Sequence, residues 1–221
     1  MGTPGDIEPL DLASLVSSRL CHDVISPVGA IINGLEVLEE ENDAQMREFA
    51  LDLIKKSARQ ASARLQFARL SFGAAGSAGA SIDLGDAEQV VRALMQGSKA
   101  ELTWSAPRLL LPKNQVKLLL NLILIAISAI PRGGRIDVTA TASGEGADTR
   151  FVIAASGTAA RIPNDVERLV AGDLENPLDA HGIQPFFTGT VARACAMRVT
   201  MASEDGKVTI TAEQAPADVA A

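Results

Sequence analysis

The sequence predicts an α + α/β protein: a helical hairpin that dimerises into a four-helix bundle, followed by an α/β sandwich. Three observations carry this. Apolar residues recur at helical spacing, with almost no strand signal, from residue 7 to about 40 and again from 43 to about 72. The stretch GAAGSAGAS, residues 73–81, then offers neither a bulky apolar side chain nor a charge, which makes coil its cheapest state. Beyond it, β-rich runs alternate with helical ones. The boundaries that follow are 1–73 for the hairpin, 74–81 for a linker, 82–214 for the α/β domain and 215–221 for a tail expected to be disordered.

In the first helix Val24, Val28, Ile31, Leu35 and Leu38 form the stripe of a bundle helix. ENDA at 41–44 supplies the turn, with Asn42 or Asp43 as the N-cap of the second helix. There Ile54, Ala58, Ala61, Leu65, Ala68 and Phe72 form the matching stripe, and its alanines permit close approach. Two helices alone bury too little, so a second copy is expected to complete the bundle as a homodimer. Past the linker, strands are expected at 100–106, 134–142, 149–156 and 198–213, the last interrupted by the hairpin signal EDG. Helices are expected near 86–97, 112–130, 163–171 and 185–197, beside a mostly antiparallel sheet.

With 221 residues, 47% of them hydrophobic, the chain can build at least one sizeable core. Its net charge of −7 removes the long-range attraction to phosphate backbones and anionic lipid, so neither nucleic acid nor membrane is an expected direct partner. No uninterrupted apolar run approaches the ~18 to 20 residues of a membrane span. MGTPGDIEPLD lacks the basic and apolar regions of a signal peptide, which makes the cytoplasm the expected location. Cys21 and Cys195 match no CxxC or metal-ligand spacing, and two reduced thiols without zinc are expected.

The chemistry centres on HDVISP, residues 22–27. At about 100° per residue the apolar stripe points roughly 200° away from His22, so the ring faces outward among the small or polar Ser18, Ser26, Gly29 and Asn33. Imidazole, with an ordinary pKa of about 6.5, is a good nucleophile at neutral pH and can accept and return a phosphoryl group. Asp23 can orient the ring and stabilise positive charge as a bond forms, or be no more than a solvated surface residue. Pro27 lacks the N–H that would bond the carbonyl of residue 23, costs about 3 kcal/mol in a helix interior, and shapes the backbone one turn beyond the histidine. A turn near 41–43 brings residues near 62 level with His22 and puts Arg59, Ser62 and Gln66 within reach. Lys55, Lys56 and Arg59 either steer an acidic partner or merely solvate the helix.

HDVISP resembles the H-box of two-component histidine kinases, where histidine, an acidic residue and a nearby proline sit on the first helix of a dimeric hairpin. The second half resembles the Bergerat-type ATP-binding domain of those kinases: NLILIAISAIPRGGRIDVTATA, 121–142, is similar to the N-box helix and its following strand, and VIAASGTAARIP, 152–163, stands where the first glycine box falls. The departures all touch the nucleotide. The second metal-holding asparagine is Ile125, which offers no oxygen to a hard cation. The adenine-reading acid is Ala155 or Ser156, and the second glycine is Ala159. HGIQPFFTGT around Gly182 lacks the glycine-rich phosphate loop, with Pro185, Phe186 and Phe187 filling space where N–H groups cradle phosphate.

A kinase-like hairpin with a degenerate ATPase-like domain is the architecture of a histidine phosphotransferase, and the whole chain is similar to the ChpT family of alphaproteobacterial phosphotransferases. The resemblance implies a cytoplasmic homodimer that takes phosphoryl on His22 from the receiver of the hybrid kinase CckA and delivers it to the receivers of the response regulators CtrA and CpdR, controlling the cell cycle. No cofactor of its own is implied; Mg²⁺ comes with the receiver. By the same analogy the docking patch is Ser26, Gly29, Ala30, Asn33 and Val37 on the first helix with Asp52, Lys55, Lys56 and Arg59 on the second. The alternatives are an ATP-dependent histidine kinase with an atypical nucleotide site and a noncatalytic module that binds receivers or kinases.

Overall fold

The computed structural model describes residues 7–73, 80–143, 147–174 and 178–215. The expected linker and tail therefore lie outside the described residues, except for Ala80, Ser81 and Ala215 at their edges. The hairpin is α1 (Pro9–Glu40) and α2 (Ala44–Ser71). Pro9 opens α1, where a missing N–H costs nothing. Asp43 caps α2, its carboxylate accepting the Met46 N–H at 2.9 Å. The Arg47 guanidinium donates to the Leu38 carbonyl and, at 2.9 Å, to that of Glu41, so the carbonyls at the end of α1 are bonded by a cation.

Close approach of the two helices is set by Gly34, where a Cβ would lie 2.7 Å from Ile54 Cγ1 and 3.3 Å from the Ala50 carbonyl. The Asp23 carbonyl meets Arg64 further along. These two contacts fix a register that puts residues 64 and 65 level with His22, somewhat beyond the expected 62. The stripe of α1 also divides. Pro27 and Gly34 are buried and Val24, Ile31 and Leu38 half-buried, whereas Val28 and Leu35 join Ile25 and Ile32 on an exposed apolar strip. By length and composition alone α1 is long and apolar enough to cross a membrane, and this double stripe is the reason.

The stripe expected on α2 needs correcting. Ala58 and Leu65 are exposed, while Ser57, Ala63, Phe67 and Ser71 are buried. The cause is that α2 serves two neighbours: Ala50, Ser57 and Ala61 follow the heptad of the Gly34 contact, whereas Phe67 belongs to the core of the second domain.

That domain carries a five-stranded sheet in the order β2-β4-β5-β7-β6, from β2 (Ala100–Ser105), β4 (Gly134–Ser143), β5 (Ala147–Ser156), β6 (Met197–Glu204) and β7 (Lys207–Gln214). Only β2 and β4 pair in parallel. Asp205 and Gly206, with φ of 45° and 74°, make the tight turn expected at EDG. A further pair, β1 (Ser81–Asp83) with β3 (Leu110–Pro112), brackets α3 (Leu84–Met95). The helix α4 (Lys113–Ala129) buries Leu118, Leu119, Leu120, Leu122, Ile123 and Ile125, being covered by the sheet residues Ile136, Phe151, Ile153 and Ile210 and packed also on α6 (Ile183–Ala194) and α2. A short α5 (Val166–Ala171) precedes α6. Ile7, Leu12, Leu15 and Val16 pack on Leu169, Ile183 and Phe186, so the first turns of α1 are anchored to the second domain.

Candidate phosphoryl-acceptor site

His22 projects from the middle of α1 with 64% of its side chain exposed. Its Nδ1 lies 3.7 Å from Asp23 Oδ1, an ion-pair distance and too long for a hydrogen bond. Asp23 Oδ2 accepts from Arg19 Nε at 3.0 Å, one helical turn earlier. The carboxylate is thus held by arginine on one side and turned to the Nδ1 side of the imidazole on the other.

Pro27 explains the other contact of Asp23. Its ring nitrogen has no proton to give the carbonyl four residues back, and that carbonyl is Asp23's. In its place the Arg64 guanidinium reaches across from α2 and donates to it. The helix consequently continues unbroken through a buried proline. Sequence reasoning missed Arg64, although the orphaned carbonyl demands a donor at this level; it named Arg59, Ser62 and Gln66 instead. Gln66 Nε2 donates to Ser62 Oγ at 3.0 Å on the exposed side of α2. Arg59 lies in a groove of about 810 Å³ with Asp52, Lys55, Lys56, Gln96 and Gly97. Of the expected docking patch, Ser26 and Asn33 are exposed, Gly29, Ala30 and Val37 half-buried, and a Cβ at Gly29 would meet nothing within 4 Å. The patch residues of α2 are all exposed, Asp52 and Lys55 paired at 3.7 Å, and by the helix register they sit level with residues 28–35 of α1, toward the hairpin turn.

The second domain also reaches His22. The His181 ring stands 5.6 Å from that of His22, centroid to centroid, edge-on at 75°. Its loop is tied by Asp179, whose Oδ1 accepts the N–H groups of His181 at 2.9 Å and Gly182 at 2.7 Å. These bonds, that from Gly182 foremost, hold the Asp179 carboxyl below its usual range. One cavity of about 560 Å³ is lined by Arg19, Asp165, Arg168, Asp179 and His181, and a more apolar one of about 470 Å³ by Arg19, Asp23, Arg64, Phe67, Met95 and Ile127, so that Arg19 borders both.

Where the resemblance puts a nucleotide, the residues do other work. Asn121 is fully buried and its Nδ2 donates to the Ser71 carbonyl at 2.8 Å and that of Lys117 at 2.9 Å. Gln184 Nε2 donates to the Asn121 carbonyl at 2.9 Å, to its Oδ1 at 3.2 Å and to Thr188 Oγ1 at 3.0 Å. Both ends of the Asn121 amide are therefore committed to joining α2, α4 and α6, and the position a turn later is the buried Ile125. Pro185 and Phe186 are buried as expected. Phe187 is placed differently: it lies 5.4 Å from the ring of Phe72 at the end of α2, with Lys117 Nζ 5.9 Å from its centroid.

An exposed histidine backed by an acid, on a hairpin locked to a domain whose asparagine is spent on packing, defines a histidine phosphotransferase. The family model for the histidine phosphotransferase C-terminal domain matches residues 84–207. Protein phosphotransferase ChpT of Brucella abortus (strain 2308) is 49% identical over 214 residues, 96% of this chain and 100% of that protein. A solved structure described as a bacterial phosphotransferase at 1.7 Å superposes with a TM-score of 0.86 at 46% identity, covering 96% of this chain and 100% of that one. The chain belongs to the ChpT family of protein phosphotransferases.

Proposed function

We propose that the chain is the middle station of a phosphorelay of the CckA to CtrA and CpdR type, taking phosphoryl from the receiver of a hybrid kinase on His22 and passing it to the receivers of response regulators. The observation that carries this is the exposed His22 ring with Nδ1 turned to Asp23. A receiver docks with its phospho-aspartate in line with Nε2. The acyl-phosphate P–O bond breaks as the N–P bond forms, the carboxylate leaves on the receiver, and the proton on Nδ1 stays, its imidazolium charge balanced by Asp23. The reverse displacement on a second receiver completes the relay. Alignment is the main contribution of the protein, since phosphoryl transfer leaves little other covalent work to do. Ser26, Gly29, Ala30, Asn33 and Val37, with Asp52, Lys55, Lys56 and Arg59, form the docking patch, and Mg²⁺ enters with the receiver.

Nucleotide has no part in this reading, because the Asn121 amide is occupied and Ile125 offers no donor. A second copy covers Ile25, Val28, Ile32 and Leu35, whose exposures of 69%, 41%, 51% and 47% are high for such side chains, and makes the cytoplasmic homodimer. The test is label transfer. Incubation with a receiver prephosphorylated on its aspartate gives acid-labile label that is absent from His22→Ala, and incubation with radiolabelled ATP gives none. Label from ATP alone would instead make the chain a kinase, and receiver binding without label would make it a noncatalytic module.

A further inference from the structure

The His22–His181 contact lies outside the hairpin, whose own approach to the His22 ring is that of Asp23 Oδ1, 3.7 Å from Nδ1 and too long for a hydrogen bond. It is made by a different domain, from a loop just ahead of α6. We propose that His181 is a positioning residue for phosphoryl transfer at His22: the second domain holds its ring at a steep angle against the acceptor ring, restricting the rotamer of an imidazole that the hairpin holds by no hydrogen bond, and setting a second imidazole beside the phosphorylated ring. This rests on the reading of His22 as the acceptor.

Three features support the assignment. The edge-on ring pair at 5.6 Å is an arrangement that aromatic rings favour. The loop that carries His181 is held at its base by the two N–H bonds to Asp179 and by the burial of Ile183 and Phe186 immediately after it, so the ring is presented from a rigid support. The same helix end is anchored to α1 through Leu12, Leu15 and Val16, so the distance between the histidines is set by a packed interface. A receiver that approaches His22 therefore meets an acceptor ring with the His181 ring already against it, and the second domain takes part in the transfer geometry.

The charged and titratable groups around His181 are Asp179 on its own loop, Arg19, His22 and Asp23 on α1, Asp165 at the N-cap of α5 and Arg168 within α5. The two arginines are engaged with Asp23 and Asp165, at 3.0 Å and 3.2 Å. A dianionic phosphoryl on His22 is then the large new charge in the site, set beside the His181 ring.

The chain has only two histidines, so histidine-specific ¹⁵N labelling of the full protein reads both rings without ambiguity. On phosphorylation of His22 from a receiver, the ring ¹⁵N resonances of His181 are expected to move together with those of His22, because the two rings are in contact. His181→Ala is expected to lower kcat for transfer about tenfold with the receiver KM unchanged, and His181→Phe, which keeps the ring edge, to recover part of that loss. His181 is exposed, so both variants are expected to fold, as circular dichroism checks. Unmoved His181 resonances together with wild-type kcat in His181→Ala would overturn the proposal while His22→Ala still lost all label. Label surviving in His22→Ala would instead overturn the acceptor reading, and this inference with it.

Discussion

If Arg64 stands in for the proton that Pro27 lacks, the two residues must be energetically coupled. A hydrogen bond from a charged donor contributes about 1.5 to 3 kcal/mol, and because Arg64 is only half-buried the lower part of that range applies, so Arg64→Met is expected to cost about 1.5 to 2 kcal/mol. Pro27→Ala restores the intrahelical bond to the Asp23 carbonyl. It recovers part of the ~3 kcal/mol penalty of an interior proline while losing the packing of a buried ring, at about 0.8 kcal/mol per methylene. In that background the carbonyl already has a partner, and Arg64→Met is expected to cost only about 0.5 kcal/mol. The coupling is then about 1 to 1.5 kcal/mol. Urea unfolding of the four proteins followed by far-UV circular dichroism measures it, at one fixed protein concentration because association shifts apparent stability. Fluorescence is the wrong probe, since the single tryptophan, Trp104, lies on β2 of the other domain. Additivity within the usual ~0.3 to 0.5 kcal/mol would refute the substitution of guanidinium for peptide N–H.

Gly189→Ala is expected to cost about 3 kcal/mol, since its Cβ would lie 1.9 Å from the Val170 carbonyl and α6 would have to part from α5, whereas Gly29→Ala points into open space and is expected to stabilise α1 by up to ~1 kcal/mol; thermal melts distinguish the two. Asn121→Ala strands the Ser71 carbonyl and part of the Gln184 amide, and a loss of about 2 to 3 kcal/mol is expected in chemical denaturation. Burial pushes the Cys195 thiol from its usual 9.0 to about 11, partly opposed by Lys117, while Cys21 is exposed, so at pH 8 a disulfide reagent should titrate one thiol quickly and the other only on unfolding. By linkage, between pH 9 and 11 the unfolded chain has released the Cys195 proton and the folded chain has not. Stability falls as pH rises through that window, and Cys195→Ala is expected to remove this component.

The two-part architecture was legible because it rests on period and composition, which are local. The outward histidine, the cap at Asp43 and the Asp205–Gly206 turn were legible for the same reason. The stripe of α2 was misread because Phe67 and Ser71 answer to a domain that begins beyond the linker, and no period within α2 reveals a second neighbour. Arg64 was one physical step away: the proline names an orphaned acceptor, and the level of the turn names the helix that must supply its donor. His181 carries no such signal. Its nearness to His22 comes from the packing of Ile7, Leu12 and Val16 on Ile183 and Phe186, contacts separated by well over 150 positions in the chain.

The fate of Asn121 links the loss of one chemistry to the geometry of another. An amide that holds a metal must keep its oxygen free and accessible, whereas one that joins helices must have both ends bonded and dry, so a single asparagine cannot serve both roles. Here it is buried, with Ser71 of the hairpin on one end and Gln184 of α6 on the other. Because α6 begins directly after the loop bearing His181, the bond that ties up the amide also fixes the height of that loop along α1. A kinase domain must swing to bring ATP to its histidine and then withdraw for the receiver. On the proposed relay a phosphotransferase supplied by receivers would need no such swing, and the contacts that join the second domain to the hairpin through Asn121, Phe67 and Phe187 would hold the His22 face in one arrangement for each receiver.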